Sequence, residues 1–319
     1  MKKELTVLLA GVVLISFMIG GINATAAPYP DRPIEVINPW GAGGLTDNML
    51  MVIKTVAGKY FGQPIIVSIK SGATATIGHK FIADAKPDGY TLIMTSTGPR
   101  AVAPHFRKVP YDPLNDFTDI CRIALLSHLF SVRADFPAKD FKGFMEYVKK
   151  NPNTVKVGQP GTDGIAYLVY KSLVSEGKLE MLNVPFKSTG ESVTAAAGGK
   201  IDAVIASATA IRPMVEAGKL RPLASCGSNR STLYSNIGTF EEYGISAAHD
   251  DSYGLSGPKN LPPEIVNFIE SRVIEMMKDP QVIQSFDKLG VPLGFLKSSD
   301  FHRIVEKDYK LYKKLIVGE

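Results

Sequence analysis

A repeated alternation between short apolar runs and amphipathic stretches is the feature that most constrains the fold of this chain. Each pair of runs predicts a strand followed by a helix, and successive pairs predict a mostly parallel sheet flanked by helices. The alternation occurs in two series, one that begins at PIEVIN (33–38) and one that begins after the dipeptide Asn151-Pro152. The predicted fold class is therefore α/β, with two lobes of similar construction.

A long apolar run joins the two series. DICRIALLSHLFSVRAD (119–135) is predicted to cross as a strand from one lobe to the other, and a return crossing is expected near LRPLASCGS (220–228). The predicted domains are a first part of lobe 1 at residues 27–124, lobe 2 at 125–225 and the completion of lobe 1 at 226–319. Ligands of open α/β sheets collect at the carboxyl ends of the strands. Two facing lobes would therefore form a ligand cleft.

The first 26 residues have the three parts of a secretory signal peptide. They are a charged start, an apolar stretch at 5–22 and the small residues Ala24–Ala26, which predict cleavage after Ala26. An uncleaved membrane anchor is the alternative, because the apolar stretch is just long enough to span a bilayer. No cysteine lies near the cleavage point to carry a lipid. We therefore expect a periplasmic protein without a lipid anchor.

The composition argues against two other classes of protein. Hydrophobic residues make up 45% of the 319 residues and charged residues 21%, which is typical of a folded chain rather than a disordered one. The net charge of +5 is scattered, without the basic stripe that would indicate nucleic-acid binding. We interpret the two cysteines, Cys121 and Cys226, as separate buried thiols. A disulfide is the alternative, because an exported protein matures where disulfides form.

A glycine-rich segment, WGAGGLTD (40–47), lies between the first predicted strand and the first predicted helix. It fails the dinucleotide-binding fingerprint, because Thr46 stands where the last glycine is needed. The chain also has no phosphate-loop, zinc-protease or serine-hydrolase motif. The five histidines are far apart, so we expect neither a metal nor another cofactor. A catalytic or metal role for His249-Asp250-Asp251 stays open, although no nucleophile motif accompanies it.

The unpaired N–H groups at the start of the helix predict an anion site in this loop, since its glycines permit close approach and positive φ angles. The alternative is a plain tight turn, with Thr46 or Asp47 as the helix cap. Two more loops of small and polar residues, 71–78 and 158–167, also lie between a strand and a helix. Three such loops favour a carboxylate that is held mostly by backbone N–H groups.

Two charged residues near the predicted cleft have more than one interpretation. Asp47 is awkward beside a carboxylate, so it either caps the helix or bonds the loop N–H groups, or it receives a donor group of the ligand. Arg100 follows the strand YTLIMTS (90–96), near the expected cleft mouth, and its planar guanidinium could bind a second carboxylate. The alternative for Arg100 is a solvated surface arginine, because loop arginines are mostly exposed.

Seven segments of the sequence form a series that is similar to a known family. They are YPDRPIEVINPWGAGGLTD (29–47), GATATIG (72–78), KPDGYTLIMTSTG (86–98), VPYDPLNDF (109–117), VPFKS (184–188), GGKIDAVIA (198–206) and EAGKLRPLA (216–224). In order and spacing they resemble the Bug-type extracytoplasmic receptors of tripartite tricarboxylate transporters. The similarity runs from Tyr29 to near the C-terminus, and its most specific parts are the first glycine loop and the strand entry PDGYT.

The resemblance implies a two-lobed Venus-flytrap fold of the type II periplasmic-binding-protein kind, with hinge strands that cross between the lobes. It implies a small organic carboxylate that is caught in the cleft and passed to the permease subunits of a membrane transporter. It also implies a monomer without catalytic residues. Together with Arg100, the predicted ligand-binding residues are Trp40, Gly41, Gly43, Gly44, Thr46, Asp47, Ser96, Thr97, Gly161, Thr162, Asp163, Gly164 and Ser207.

The chain departs from the family pattern at several positions. Ala75 replaces a usual glycine, Tyr167-Leu168 replaces His-Leu, VPFKS (184–188) replaces VPYKG, and Ser252-Tyr253-Gly254 replaces W-x-G. We expect these changes to affect the ligand rather than the fold. Two other functions stay open: an exported enzyme that uses the same cleft, and a periplasmic sensor that signals to a membrane partner.

Overall fold

The computed structural model describes residues 29–245 and 249–318, so the predicted signal peptide lies outside the described residues. The strands are β1 (Ile34–Asn38), β2 (Ile65–Ile69), β3 (Thr91–Ser96), β4 (Phe117–Arg133), β5 (Lys156–Pro160), β6 (Leu182–Phe186), β7 (Ala203–Ser207), β8 (Leu220–Ser225), β9 (Asp250–Pro258) and β10 (Leu293–Lys297). The helices are α1 (Leu45–Phe61), α2 (Thr76–Ala83), α3 (Ala103–Phe106), α4 (Phe141–Lys150), α5 (Ile165–Ser175), α6 (Thr189–Ala197), α7 (Ala208–Glu216), α8 (Pro263–Met276), α9 (Pro280–Leu289) and α10 (Ser298–Val317). A π-helical turn, Gly98–Val102, precedes α3, and a 3-10 turn, Glu241–Tyr243, precedes β9.

The strands form one mixed sheet in the order β2-β1-β3-β9-β4-β7-β5-β6, and β8 and β10 each pair with β4. Two parallel trios, β2-β1-β3 and β6-β5-β7, lie at its ends, while every pairing that involves β4 or β9 is antiparallel. We call β1–β3, β9, β10 and residues 117–127 of β4, with the helices and loops between β1 and β4, the first half. The second half is β5–β8 and residues 128–133 of β4. The predicted α/β class is confirmed.

Strand β4 confirms the predicted crossing from one unit to the other. Its residues 117–127 pair with β9, and His128–Val132 pair with β7. The predicted position of the return crossing is wrong, because β8 stays beside the second part of β4. Strand β9 makes the return, since it runs antiparallel to the first part of β4. The lobe boundaries remain predictions, because the chain divides into Met1–Asp31 and Arg32–Glu319 rather than between the halves.

Helix α1 covers the first half with one apolar face. Met49, Ile53 and Val56 recur at three- and four-residue spacing and are buried. The helix ends at Gly62, which has φ 70° and donates its backbone N–H to the Gly58 carbonyl at 3.1 Å. Glycine adopts this left-handed conformation without the steric cost of a Cβ atom. The end of α1 is therefore determined by the sequence.

Aromatic side chains hold the second half together. Phe130 of β4 contacts Phe141 and Phe144 of α4, with ring centroids 5.6 Å and 4.6 Å apart. Phe240 stacks on Phe141 at 5.2 Å, and all four rings are fully buried. Burying one such side chain stabilises a fold by about 1.5–3 kcal/mol. This cluster therefore fixes α4 and the segment around Phe240 on the second part of β4.

The two cysteines are buried and are not joined, which confirms the prediction of separate thiols. Burial raises the pKa of both the Cys121 and the Cys226 thiol, so both stay protonated and unreactive at neutral pH. Between residues 29 and 245, and again from 249 to 318, no helix combines the length and the apolar character that a membrane span requires.

Candidate functional site

The loop Trp40–Asp47 joins β1 to α1, as predicted, and the Asp47 carboxylate organises it. Its Oδ2 accepts a hydrogen bond from the Gly43 backbone N–H at 2.8 Å, and its Oδ1 accepts one from Asn38 Nδ2 at 3.1 Å. Gly43 has φ 72°, in the left-handed region that glycine tolerates. Of the roles considered for Asp47, the structure shows the bond to a loop N–H group.

No side chain caps the start of α1. The N-cap residue is Gly44, and Asp47 bonds Gly43 and Asn38 instead, so the capping alternative is not found among the described residues. Gly44 has φ −79°, so the positive φ of this loop is at Gly43 instead. A Cβ atom at Gly44 would meet only the Gly41 carbonyl oxygen, at 3.4 Å. The exposed N–H groups and the positive end of the helix dipole suit an anion.

Two buried polar atoms at the carboxyl edge of the first trio have no hydrogen-bond partner among the described residues. One is Nε1 of Trp40, whose backbone N–H donates to Asn38 Oδ1 at 3.0 Å. The other is Oγ of Ser96, the last residue of β3. Strands β1 and β3 are neighbours in the sheet. Because buried polar groups in proteins are normally paired, both atoms are candidates for contact with a ligand.

Thr97, in contrast to Ser96, already has partners. Its backbone N–H donates to Asp251 Oδ1 at 3.1 Å, and its Oγ1 accepts a hydrogen bond from the Ser252 N–H at 2.9 Å. These two bonds tie the end of β3 to the start of β9. A role for Thr97 in ligand binding remains a prediction.

The structure places Arg100 in the protein interior and corrects both interpretations of this residue. The side chain is 1% exposed, and its Nη1 and Nη2 donate to the two carboxylate oxygens of Asp119 at 2.8 Å and 3.3 Å. Its Nε donates to the Pro113 carbonyl at 2.7 Å, and the guanidinium lies 4.5 Å from the ring centre of Phe117. The π-helical turn after β3 directs the side chain inward, so Arg100 is neither at the cleft mouth nor in solvent.

We call the loop Trp40–Asp47 the first wall of the predicted cleft. The second wall is the loop between β5 and α5, which contains Gly161, Thr162, Asp163 and Gly164. Gly161 has φ 67° and donates its N–H to the Phe186 carbonyl at 3.0 Å. Gly164 is the N-cap residue of α5 and, like Gly44, has no capping side chain. The two walls therefore repeat one design, a glycine-containing turn before an uncapped helix.

Asp163 connects the second wall directly to the first half of the protein. Its carboxylate lies within 3.3 Å of Thr74 Oγ1 and 3.4 Å of Arg107 Nη2, and both of these residues belong to the first half.

Ser207, at the end of β7, caps α7 by accepting a hydrogen bond from the Ala210 N–H at 3.4 Å. The Ser207 hydroxyl, which is predicted to contact the ligand, therefore also serves as a helix cap.

Three acidic residues, Asp250, Asp251 and Asp308, form a cluster near the end of β3. Burial raises the pKa of Asp251 to about 6 and that of Asp308, on α10, to about 7. A small cavity of about 10 Å³ is lined by Asp308, Ser96 and Arg100, among others. It is the size of about one water molecule. The cavity therefore brings Ser96, a candidate ligand contact, close to Asp308, whose pKa is about 7.

Comparison with known proteins identifies the family. The sequence profile described as "Tripartite tricarboxylate transporter family receptor" matches residues 50–318, most of the chain. The chain belongs to this receptor family. The Bug-type resemblance of the seven segments is thereby confirmed.

Two curated relatives of this receptor are similar over nearly their whole length. A Cupriavidus necator protein described as "UPF0065 protein in gbd 5'region" is 31% identical over 294 residues, which cover 92% of this chain and 89% of the relative. BugT of Bordetella pertussis is 27% identical over 287 residues, 88% of each chain.

Three solved structures resemble the receptor closely. A protein described as a periplasmic transporter has a TM-score of 0.81 at 33% identity and covers 90% of this chain and 97% of its own. An R. palustris protein with adipate has a TM-score of 0.80 at 25% identity, with coverage of 90% and 97%. MatC from Rhodopseudomonas palustris, with bound malate, has a TM-score of 0.76 at 26% identity, with coverage of 90% and 100%.

The described residues of this receptor give little support to catalysis. Ser172 Oγ lies 2.7 Å from Nε2 of His249, but both residues are buried, and His249 Nδ1 has no partner among the described residues. Burial lowers the pKa of His249 to about 4. A serine nucleophile needs an accessible hydroxyl and an oriented base, which this pair lacks. Within residues 29–245 and 249–318, no group of three or more histidine, cysteine or acidic residues is arranged to hold a metal.

Three residues near the walls were missed by the sequence interpretation as individual contacts. Thr74 and Arg107 bind Asp163. Gln159 of β5 is buried, and its Nε2 donates to Asn183, while its Oε1 has no partner in the part of the chain that the structure describes. Gln159 lies within the segment GQPGTDG (158–164), which the sequence already indicated as a loop, so its position beside the glycines could have indicated it. Nothing in the sequence around Arg107 indicates its partner.

A larger cavity, of about 350 Å³, is lined in part by residues of β4. Its lining includes Ser127, Ala208, Arg230 and Leu293. The Ser127 hydroxyl donates to Asp250 at 2.6 Å, and Arg230 forms an ion pair with Glu242. Ser127 and Arg230 of this cavity are thus engaged with protein groups, whereas Trp40 Nε1 and Ser96 Oγ have no partner among the described residues.

Proposed function

We propose that this receptor binds a small organic carboxylate between its two walls and delivers it to the permease subunits of a tripartite transporter. The observation that carries the proposal is the pair of uncapped helix starts, one at Gly44 and one at Gly164, on different halves of the sheet. Helix starts of this kind bind anions through backbone N–H groups. The adipate and malate of two similar proteins support a carboxylate ligand.

The proposed contacts fall into two groups. Backbone N–H groups of the two glycine turns hold the carboxylate, and Trp40 Nε1 and Ser96 Oγ supply side-chain hydrogen bonds because both atoms are unpartnered in the described residues. The full set of proposed ligand-binding residues is Trp40, Gly41, Gly43, Gly44, Thr46, Asp47, Ser96, Thr97, Gly161, Thr162, Gly164 and Ser207. Asp163 is omitted, because its carboxylate lies against Thr74 and Arg107. Arg100 is omitted, because its guanidinium is bound to Asp119.

We further propose that the receptor is a monomer in the periplasm, exported through a cleaved signal peptide, and that it has no enzymatic activity. The export signal of the sequence and the periplasmic relatives support the location. Binding would favour a closed form, because only the closed form lets both walls contact the ligand. The sequence and structure favour this function over catalysis because the walls offer hydroxyl and N–H groups without a paired nucleophile and base.

Mass spectrometry of the small molecules released from freshly purified, denatured receptor tests this function. We expect one intact carboxylate in a 1:1 ratio to protein. Conversion of that compound during incubation with native receptor would instead indicate an enzyme. A carboxylate that binds without promoting uptake in cells that contain the permease would favour the sensor alternative.

A further inference from the structure

The Asp163 carboxylate contacts the half of the protein to which it does not belong. Its two oxygens lie 3.4 Å and 3.3 Å from Thr74 Oγ1, and Oδ2 lies 3.4 Å from Arg107 Nη2. Asp163 precedes the N-cap of α5 in the second half, whereas Thr74 follows β2 and Arg107 follows α3 in the first half. The contact therefore exists only when the two walls are close.

Arg107 is held on the first half independently of Asp163. Its Nη2 donates to the Ala73 carbonyl at 2.8 Å, and the same carbonyl accepts hydrogen bonds from Thr76 N and Thr76 Oγ1 at 3.0 Å and 2.7 Å. Ala73, Thr74 and Ala75 have φ values of 45°, 49° and 66°, in the left-handed region that residues with a Cβ rarely adopt. Such strain persists only where neighbouring bonds over-determine the backbone. Thr74 and Arg107 are thus held in fixed positions in which they can bind the Asp163 carboxylate.

The Asp163 carboxylate bonds residues of the first half rather than the start of its own helix. No side chain caps α5, although aspartate near a helix start commonly does so. An apolar contact accompanies the polar one, because the rings of Phe106 and Tyr167 lie 5.8 Å apart across the same boundary. The polar and aromatic pairs together form one interface between the halves at the rim of the two walls.

We propose that Asp163 is a positioning residue that latches the closed form through Thr74 and Arg107, rather than a residue that contacts the ligand. This inference rests on the proposed function, in which a ligand is enclosed between the walls. The side chains of Arg107 and Asp163 are 35% and 24% exposed, and their separation is long for a charge-assisted hydrogen bond. A half-exposed ion pair is weak, which suits a contact that must break each time a ligand leaves.

The latch makes a different prediction from a ligand contact. Loss of the latch lowers the population of the closed form, and the apparent affinity of every ligand falls by the same factor. The expected factor is about two- to fivefold, the range of half-exposed ion pairs. Loss of a ligand contact would instead change the ratio of affinities between ligands. Trp40, the single tryptophan of the sequence, allows binding to be followed by intrinsic fluorescence.

Spin-label distance measurements test the latch without any ligand. Lys54→Cys on α1 and Lys149→Cys on α4 introduce one exposed label on each half, while the buried Cys121 and Cys226 stay unlabelled. We expect closed and open distances in the unmodified background. Asp163→Asn and Arg107→Gln should raise the ratio of open to closed by about two- to fivefold. The exchange Arg107→Glu with Asp163→Arg should restore it.

Arg303→Gln is the matched control, because it removes an exposed arginine from an ion pair, Arg303–Asp300, that lies within α10 alone. It should leave the distances unchanged. Equal distance distributions for Asp163→Asn and the background, or a background that is entirely open, would overturn the latch.

Adipate and malate titrations add a second readout. Equal weakening of both by Asp163→Asn supports the latch, and a changed ratio overturns it in favour of ligand contact. If neither compound binds the background protein, that result counts against the dicarboxylate form of the proposed function, and the distance measurements still decide on the latch.

Discussion

The Asp47 carboxylate lies 2.8 Å from the backbone nitrogen of Gly43, four positions earlier in the chain. With its other oxygen bound to Asn38 Nδ2 at 3.1 Å, Asp47 joins the end of β1 to the glycine turn and the first turn of α1. The negative charge that was awkward beside a carboxylate ligand is therefore already engaged by two protein donors. The same arrangement leaves the N–H groups at the start of α1 available.

The two bonds of Asp47 predict that Asp47→Asn is not a mild change. An amide offers one acceptor oxygen, so either Gly43 N–H or Asn38 Nδ2 would face a second donor. We expect a loss of about 1–2 kcal/mol in the free energy of unfolding, measured by urea denaturation.

The exchanged pair Asn38→Asp with Asp47→Asn can satisfy all three donors, including the Trp40 N–H that now bonds to Asn38. It should recover part of the lost stability. No recovery in the exchanged pair would show that the carboxylate of residue 47 serves another partner.

Gly43 should be the residue of the turn that tolerates substitution least. Its φ of 72° is unfavourable for any side chain, although no atom would obstruct a Cβ there. Gly43→Ala should therefore lower the free energy of unfolding by about 1 kcal/mol through backbone strain alone. Gly41→Ala, in the same loop with open space and no positive φ, is the control and should cost less. Equal effects of the two changes would contradict this interpretation.

Arg100 should matter for stability and not for ligand binding. Asp119 is buried and also accepts hydrogen bonds from Ser256 Oγ and His302 Nδ1, at 2.8 Å and 2.9 Å. Arg100→Met would remove the cation and leave this carboxylate unpaired, at a cost of about 3–5 kcal/mol. Arg100→Met with Asp119→Asn should be less destabilised, because the buried charge is then gone. A variant that folds normally but loses affinity for dicarboxylates would return Arg100 to the ligand site.

Asp308 should make the receptor less stable as the pH rises. Burial raises its pKa to about 7, with Asp250 and Asp251 adding to the rise and Lys307 and Arg122 opposing it. Between the ordinary carboxyl pKa near 4 and this value, the folded protein holds a proton that the unfolded chain has released, so stability falls across that window. Asp308→Asn should abolish about 1–2 kcal/mol of the difference in unfolding free energy between pH 5 and pH 8.

Asp287→Asn, at an exposed position of α9, is the control for the Asp308 measurement. It should keep the pH dependence of the unmodified receptor. An unchanged pH dependence in Asp308→Asn would show that Asp308 is ionised in the folded protein at neutral pH.

The alternation of apolar and amphipathic runs was enough to predict the two parallel trios and the crossing strand β4. Buried apolar residues occur in both parts of this 17-residue strand, because both parts are covered. The return strand β9 was not predicted, since its sequence, DDSYGLSGP, is polar and contains glycine. Its polar residues are buried through specific bonds, such as Ser256 to Asp119 and Asp251 to Thr97, which depend on distant partners. A local pattern does not contain that information.

The candidate site shows the same division between local and distant information. The glycine turns and the helices after them follow from local sequence, because both depend on backbone conformation near a few residues. The inward direction of Arg100 depends on a π-helical turn after β3 and on Asp119, 19 residues away. The contact of Arg107 with Asp163 joins two halves of the sheet. Neither pairing has a signature in the spacing of residues along the chain.

The most direct test of the account is a calorimetric titration of Gly44→Ala beside the unmodified receptor, with the carboxylate that mass spectrometry identifies. Gly44 has φ −79° and room for a Cβ atom, so the variant should unfold within about 0.5 kcal/mol of the original. If the carboxylate lies against the start of α1, the added methyl group occupies its space, and affinity should fall tenfold or more, about 1.4 kcal/mol. Equal affinity in the two proteins, or a receptor that releases no carboxylate, would contradict the account.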